Sequence, residues 1–227
     1  MRTWVSIARY HLVQPVLYLG LPWAIMAFSF AVNLIIFRVA PAGRHYTGAL
    51  ASIYLLFFTM GVFGIGQSLP FGLALGVSRR SYYGGTALLA VTLAAADGLG
   101  LTLLQGIERA TGGWGVAMHF FRVPYILDGP WYQTWLTSFV ALTLLFIYGM
   151  WFGIVHRRWS LPGTVTFIAA QVSVLLAVGL LITWGHAWPG TGRFFSTLSA
   201  AGLTGLLAVL AATLLAGGYA TVRRVTV

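Results

Sequence analysis

The sequence predicts an all-α integral membrane protein, with six transmembrane helices preceded by a short helix lying in the membrane interface. Three observations carry this. Apolar residues make up 59% of the 227 residues and charged residues 7%, against about 25% charged in a soluble domain that must cover its surface. Six apolar runs reach the roughly 20 residues needed to cross a hydrocarbon core of about 30 Å. The basic residues are all arginines, and they fall between or at the ends of those runs. Closed barrels need shorter segments of alternating polarity, and the sequence has none.

The N-terminal "TWVSIARYHLVQP" places Trp4, Ile7, Ala8 and His11 at helical spacing, with Arg2, Ser6 and Arg9 elsewhere on the wheel. That pattern predicts an amphipathic interfacial helix over about 2–13, ended by Pro15. A ragged start to the first span is the alternative. The first span covers about 15–37. Its apolar run, Leu12 to Phe37, exceeds the roughly 7–15 residues of a signal-peptide core. It therefore reads as an uncleaved span, although "VAPAG" at 39–43 has the small-x-small look of a cleavage site. The further spans are expected at about 49–73, 84–105, 134–155, 162–184 and 196–218.

Arginine placement predicts the orientation. With the N-terminus inside, the inner segments hold Arg2, Arg9, Arg79, Arg80, Arg157, Arg158, Arg223 and Arg224, and no acid. The outer segments hold Arg38, Arg44, Arg109, Arg122 and Arg193 beside Glu108 and Asp128. The inner connections are also the shorter ones, where arginines weigh most on topology. Both termini are thus expected in the cytoplasm. Arginine pairs recur at the inner boundaries in "SRRS", "HRRW" and "VRRV", and attraction to anionic headgroups accounts for such pairs as anchors. The outer connection at about 106–133 is rich in aromatics, from Trp114 through Phe120 and Phe121 to Trp131 and Trp135. Either an aromatic belt or a short lid over an outer vestibule fits it.

Several function classes drop out. The net charge of +10 comes from arginines scattered singly or in pairs, and a nucleic-acid surface needs clustered charge. Without cysteine there are no disulfides or thiolate sites. Without lysine there is no Walker A loop, so this chain cannot be a P-loop ATPase by itself. The histidines do not pair at i, i+4 as metal ligands on a helix would, and no G-x-S-x-G elbow occurs. The chain reads as a non-enzyme with no metal or cofactor of its own.

Asp97, in "LAAADGLG", is the one acid inside a predicted span. A carboxylate there must face protein or water, which makes it a candidate functional site; a hydrogen-bonded helix interface is the alternative. Its small neighbours, including Gly98 and Gly100, would admit a second backbone. Two G-x-x-x-G spacings, "GLALG" at 72–76 and "GMWFG" at 149–153, are compatible with close helix packing. Pro70 is expected to kink or end the second span and to act as a hinge.

After that span the chain reads Leu69, Pro70, then "LALGVSRRSYYGGT" from Leu73 to Thr86. Together with six spans, inner termini and the closing "LLAGGYATVRRVTV", this resembles the permease subunits of type-2 ABC exporters, particularly small actinobacterial ones. The resemblance implies one permease domain over 1–227, in a bacterial cytoplasmic membrane. It implies that Gly76, Val77, Ser78, Arg79, Arg80, Ser81, Tyr82 and Tyr83 form the coupling segment, which docks on a separate ABC ATP-binding subunit holding ATP and Mg. It also implies two permease chains, copies or paralogues, with two ATPases. The chain departs from some members in its short connection between spans five and six, "GHAWPGTGRFF", and its long one between spans three and four. Nearly charge-free spans fit a hydrophobic or amphiphilic cargo better than a sugar or ion. A non-transport scaffold or sensor-associated subunit is the alternative function.

Overall fold

A computed structural model describes residues 2–11, 15–39 and 45–222. The "VRRV" pair, Arg44 and the last residues of the predicted interfacial helix lie outside the described residues. The elements are α1 (Arg2–His11), a π-turn (Val16–Gly20) running into α2 (Leu21–Val39), β1 (His45–Tyr46), α3 (Ala51–Gly66), α4 (Leu69–Ala74) and α5 (Arg79–Ala110). There follow β2 (Met118–His119), α6 (Trp131–Trp184), α7 (Trp188–Thr197) and α8 (Ala200–Val222). Five helical stretches are long and apolar enough to cross a membrane: Val16–Val39, Ala51–Ala74, Arg79–Ala110, Trp131–Trp184 and Ala200–Val222.

Six spans were expected, and the difference lies in α6. At 54 residues a straight helix would extend about 81 Å. Ser160 alone within it has non-helical torsions, φ 55° and ψ −153°. Across it, the Tyr148 hydroxyl donates to Gln171 Oε1, the Phe152 and Phe167 rings meet at 5.1 Å, and His156 Nδ1 lies 3.1 Å from Thr164 Oγ1. These pairs converge on residue 160, so α6 is a hairpin of two antiparallel arms, 131–159 and 161–184. Pro162 stands in the first turn of the second arm, where its missing N–H costs nothing.

Other boundaries shift for local reasons. The predicted second span breaks at Gln67–Ser68, between α3 and α4. The third grows to 32 residues, because polar first and last turns extend a helix beyond its apolar run. The sixth begins only at Ala200, since Trp188–Thr197 forms a helix of its own.

The core lies where α3, α5 and the first arm of α6 meet, around Phe57, Leu89 and Phe146. α3 and that arm touch backbone to backbone. A Cβ on Gly61 would lie 2.0 Å from the Phe146 carbonyl oxygen, and one on Gly149 would lie 2.0 Å from that of Phe58. A Cβ on Gly153 would lie 2.8 Å from the Val62 carbonyl oxygen and 3.0 Å from the Gly66 nitrogen. The "GMWFG" spacing is therefore a packing seam. "GLALG" is not: Gly72 is covered by the Tyr82 ring and Gly76 ends a helix.

Two indole donors between helices find backbone carbonyls. Trp135 Nε1 donates to Ala95 O at 3.2 Å, and Trp151 Nε1 donates to Leu214 O at 2.8 Å. α3, the first arm and α8 run in one direction, and α5 runs in the other. At one end of the bundle α1 lies on the start of α5, Trp4 against Gly84 and Ile7 against Gly85. At the opposite end β1 pairs with β2 in parallel, Tyr46 opposite His119, and the Tyr125 hydroxyl reaches Phe195 O at 3.3 Å. Arg79, Arg80, Arg157 and Arg158 belong to the α1 end, and Arg109 and Arg122 to the strand end.

Candidate functional site

The connection from α4 to α5 is built by two helix caps placed back to back. Gly76, at φ 79°, closes α4. Its N–H donates to Leu73 O at 2.9 Å, and that of Val77 donates to Gly72 O at 3.1 Å. This is a Schellman arrangement, which needs the left-handed residue that glycine supplies. Ser78 then opens α5, its Oγ accepting the Ser81 N–H at 3.2 Å and lying 2.9 Å from Ser81 Oγ. Pro70 falls in the first turn of α4. The bend precedes it, and Pro70 starts a helix instead of breaking one.

Arg79 and Arg80 occupy the first two positions of α5. That is the positive end of the helix dipole, where a cation costs about 0.3–1 kcal/mol instead of contributing it. Helix stability therefore does not account for this pair. Around them Phe71, Leu75 and Arg80 are exposed. An apolar cleft of about 150 Å³ opens between α1, α4 and α5, with Ile7, Phe71 and Leu75 among its walls.

The predicted coupling segment divides at this point. Gly76, Ser78 and Arg80 are exposed, Val77, Arg79 and Ser81 half-buried. Tyr82 and Tyr83 are each 1% exposed and face the bundle. The Tyr82 hydroxyl donates to Gly64 O of α3 at 3.2 Å, and that of Tyr83 donates to Leu215 O of α8 at 3.0 Å. They offer no surface to a partner; they fasten the start of α5 to two other helices. The following Gly84 and Gly85 form the flat seat of α1.

Asp97 lies about 27 Å along α5 from Arg79 and is 3% exposed. Its Oδ1 accepts the Trp23 indole N–H at 2.7 Å, while Oδ2 is buried with no hydrogen-bond partner among the described residues. The neighbouring glycines have separate uses. Gly98 admits the backbone of Phe139. A Cβ on Gly100 would sit 2.5 Å from the Trp23 ring, so its bareness is what lets the indole lie down and reach Asp97.

A third polar cluster occupies the strand end, where the sequence alone shows outer charges and an aromatic-rich connection. Glu108 is 1% exposed. Its Oε2 accepts the backbone N–H groups of Phe120 at 2.9 Å and Phe121 at 2.8 Å and the Trp114 indole at 3.2 Å. Its Oε1 accepts the N–H of Arg122 at 3.2 Å. One carboxylate thus organises the loop after α5, which turns through left-handed residues at 112–115. Asp128 is gripped by Arg122 through Nε at 2.5 Å and a terminal nitrogen at 2.9 Å, and by Arg109 at 3.2 Å. The hydrogen bond from Arg122 holds the Asp128 carboxylate below its ordinary range and pushes the guanidinium up. A cleft of about 360 Å³ lies over these groups, with Tyr46 and His119, whose rings stack at 4.9 Å, on its wall. Among the described residues no three His, Asp or Glu side chains come together as metal ligands would.

No family model, curated protein or solved structure matches this chain. The geometry alone ranks the three sites. The Glu108 cluster spends its charge on its own loop, and Asp97 is enclosed. Of the three, the α4–α5 corner presents exposed apolar groups beside arginines with which no carboxylate among the described residues pairs. The signal for Glu108 was present as the sole acid at the outer end of a span, followed by "TGG" and three aromatics within thirteen residues.

Proposed function

We propose that this chain is the membrane-spanning permease subunit of an ABC exporter, driven by ATP hydrolysis in a separate ATP-binding subunit. In this reading the chain crosses the membrane six times, the two arms of α6 counting as two crossings. The arginine-paired end faces the cytoplasm, and α1 lies in the inner interface. Two permease chains and two ATP-binding subunits form the transporter, and the cargo is hydrophobic or amphiphilic.

The α4–α5 corner is the observation that carries the reading. Phe71 and Leu75 offer apolar contact and Arg80 a charge, on a turn locked by two caps. Behind it Tyr82 and Tyr83 tie α5 to α3 and α8. A partner that moves on binding nucleotide would displace these helices as one body, which is how rigid rocking is transmitted. The cationic pair set against the helix dipole is relieved by an acidic groove, so docking gains what the free corner lacks.

The test is purification of the full chain from its native membranes, followed by an ATPase assay. An ATP-binding subunit is expected in equal amount, with hydrolysis stimulated by the cargo. Arg79→Glu combined with Arg80→Glu is expected to abolish both. Assembly and stimulation that survive the double variant would overturn the docking role. A chain that co-purifies only with a sensor kinase and stimulates no ATPase would support the scaffold reading instead.

A further inference from the structure

A second opening lies on the side of the bundle at the arginine end, between α3 and the two arms of α6. It is a cleft of about 530 Å³. Its inner walls are apolar: Phe58, Val62 and Phe152 line it, and the Phe58 and Phe152 rings meet edge to face at 5.2 Å. Its mouth is polar and cationic, with Arg157 and His156 on the rim. From Gly66 near the mouth to Phe58 inside, the wall runs along about 12 Å of helix.

The charge at the mouth is uncompensated. The chain has three acidic residues, Asp97, Glu108 and Asp128. The latter two serve the strand end, and Asp97 is enclosed against Trp23. Among the described residues no carboxylate pairs with Arg157. His156 is positioned at the rim by its 3.1 Å contact with Thr164 across the hairpin. An apolar slot opening sideways from a membrane helix bundle, headed by one unpaired guanidinium, matches an anionic head on a hydrocarbon tail.

We propose that this cleft binds one anionic phospholipid, its phosphate against Arg157 and one acyl chain along the Phe58–Phe152 wall. The site requires that the chain be embedded in a membrane; it does not require that the chain be a transporter. Arg158 supplies the internal control. It has the same charge and adjoins Arg157, but its guanidinium lies over the Trp159 ring, 4.6 Å from the centroid, and it does not line the cleft.

The experiment is native mass spectrometry of the purified full chain, released from nanodiscs containing phosphatidylglycerol and phosphatidylcholine in equal amounts. The wild type is expected to retain one phosphatidylglycerol at least about tenfold over phosphatidylcholine: both carry a phosphate, but in phosphatidylcholine the fixed choline cation neutralises it and is repelled by Arg157. R157Q removes an exposed charge without touching the core and is expected to lose that preference, while R158Q keeps it. T59W fills the slot, leaves both arginines in place, and is also expected to lose the lipid. Equal retention of the two lipids by the wild type would overturn the site. So would equal losses in R157Q and R158Q, which would mark general headgroup attraction, or full retention in T59W.

Discussion

Gly149→Ala puts a single methyl group into the α3–α6 seam. The added Cβ would stand 2.0 Å from the Phe58 carbonyl oxygen and 3.0 Å from the Val62 nitrogen. Backbone atoms cannot swing aside, so α3 must back away by more than 1 Å to restore ordinary contact. A gap of that size forfeits a quarter to half of each dispersion contact along the seam, including those of Phe57, Phe146 and Met150. We place the cost at the upper end of the overpacking range, about 3 kcal/mol. The better helix propensity of alanine returns about 1 kcal/mol, leaving a net loss of about 2 kcal/mol. Gly179→Ala is the matched control, since no atom lies within 4 Å of its Cβ position; it should gain up to about 1 kcal/mol. The two variants should thus differ by about 3 kcal/mol, or roughly 6–12 °C in melting temperature for a chain of this size. Thermal unfolding in detergent, followed by the fluorescence of the nine tryptophans, reads this directly. A Gly149→Ala protein that melts with Gly179→Ala would show that the two helices do not touch through their backbones.

At the strand end, Glu108→Gln turns an oxygen that accepts backbone N–H groups into a donor facing them. It should cost about 2–3 kcal/mol, seen as faster hydrogen exchange at Phe120, Phe121 and Arg122. Trp23→Phe leaves Asp97 with no hydrogen-bond donor among the described residues and should destabilise by about 1–3 kcal/mol. Asp97→Asn keeps an acceptor for the indole and should melt close to the wild type, so the opposite ranking in thermal unfolding would refute the geometry. The carboxyl of Asp128 is held below its ordinary value of 3.8 by Arg122. Its contribution is therefore complete above the unfolded value and disappears as pH falls through the lowered folded value. Both partners are partly exposed, so that contribution is at most about 1 kcal/mol. The gap in melting temperature between wild type and Asp128→Asn should be flat above about pH 5 and close below about pH 4.

Run length and polarity made most of the helices legible, because crossing a membrane requires long apolar segments whatever their neighbours are. The same criterion cannot see a helix continue past its apolar stretch, as α5 does into "LLQGIERA", or reverse on a single residue, as α6 does at Ser160. The two G-x-x-x-G spacings were indistinguishable as strings. One became a seam and the other a helix cap because their surroundings differ: "GMWFG" is inside a helix facing α3, whereas "GLALG" runs off the end of one. The corner was legible as a turn. That Tyr82 and Tyr83 point inward was not, since this depends on α3 and α8 arriving behind them. Glu108 escaped for the same reason: its acceptors are matched to N–H groups 12 to 14 residues away, which only the folded loop brings near.

With one non-helical residue at its tip, the α6 hairpin has no loop that could be threaded on its own. Where both arms cross the bilayer, as in the proposed reading, they enter it together as one hairpin. The tip carries Arg157 and Arg158, and drawing an arginine to the bilayer centre costs about 2.5–3.5 kcal/mol on insertion scales. The tip accordingly stays on the side from which it was inserted, and both arms are oriented by that one fact. In that reading residues 131–184 are oriented as a single unit by the charge at their tip.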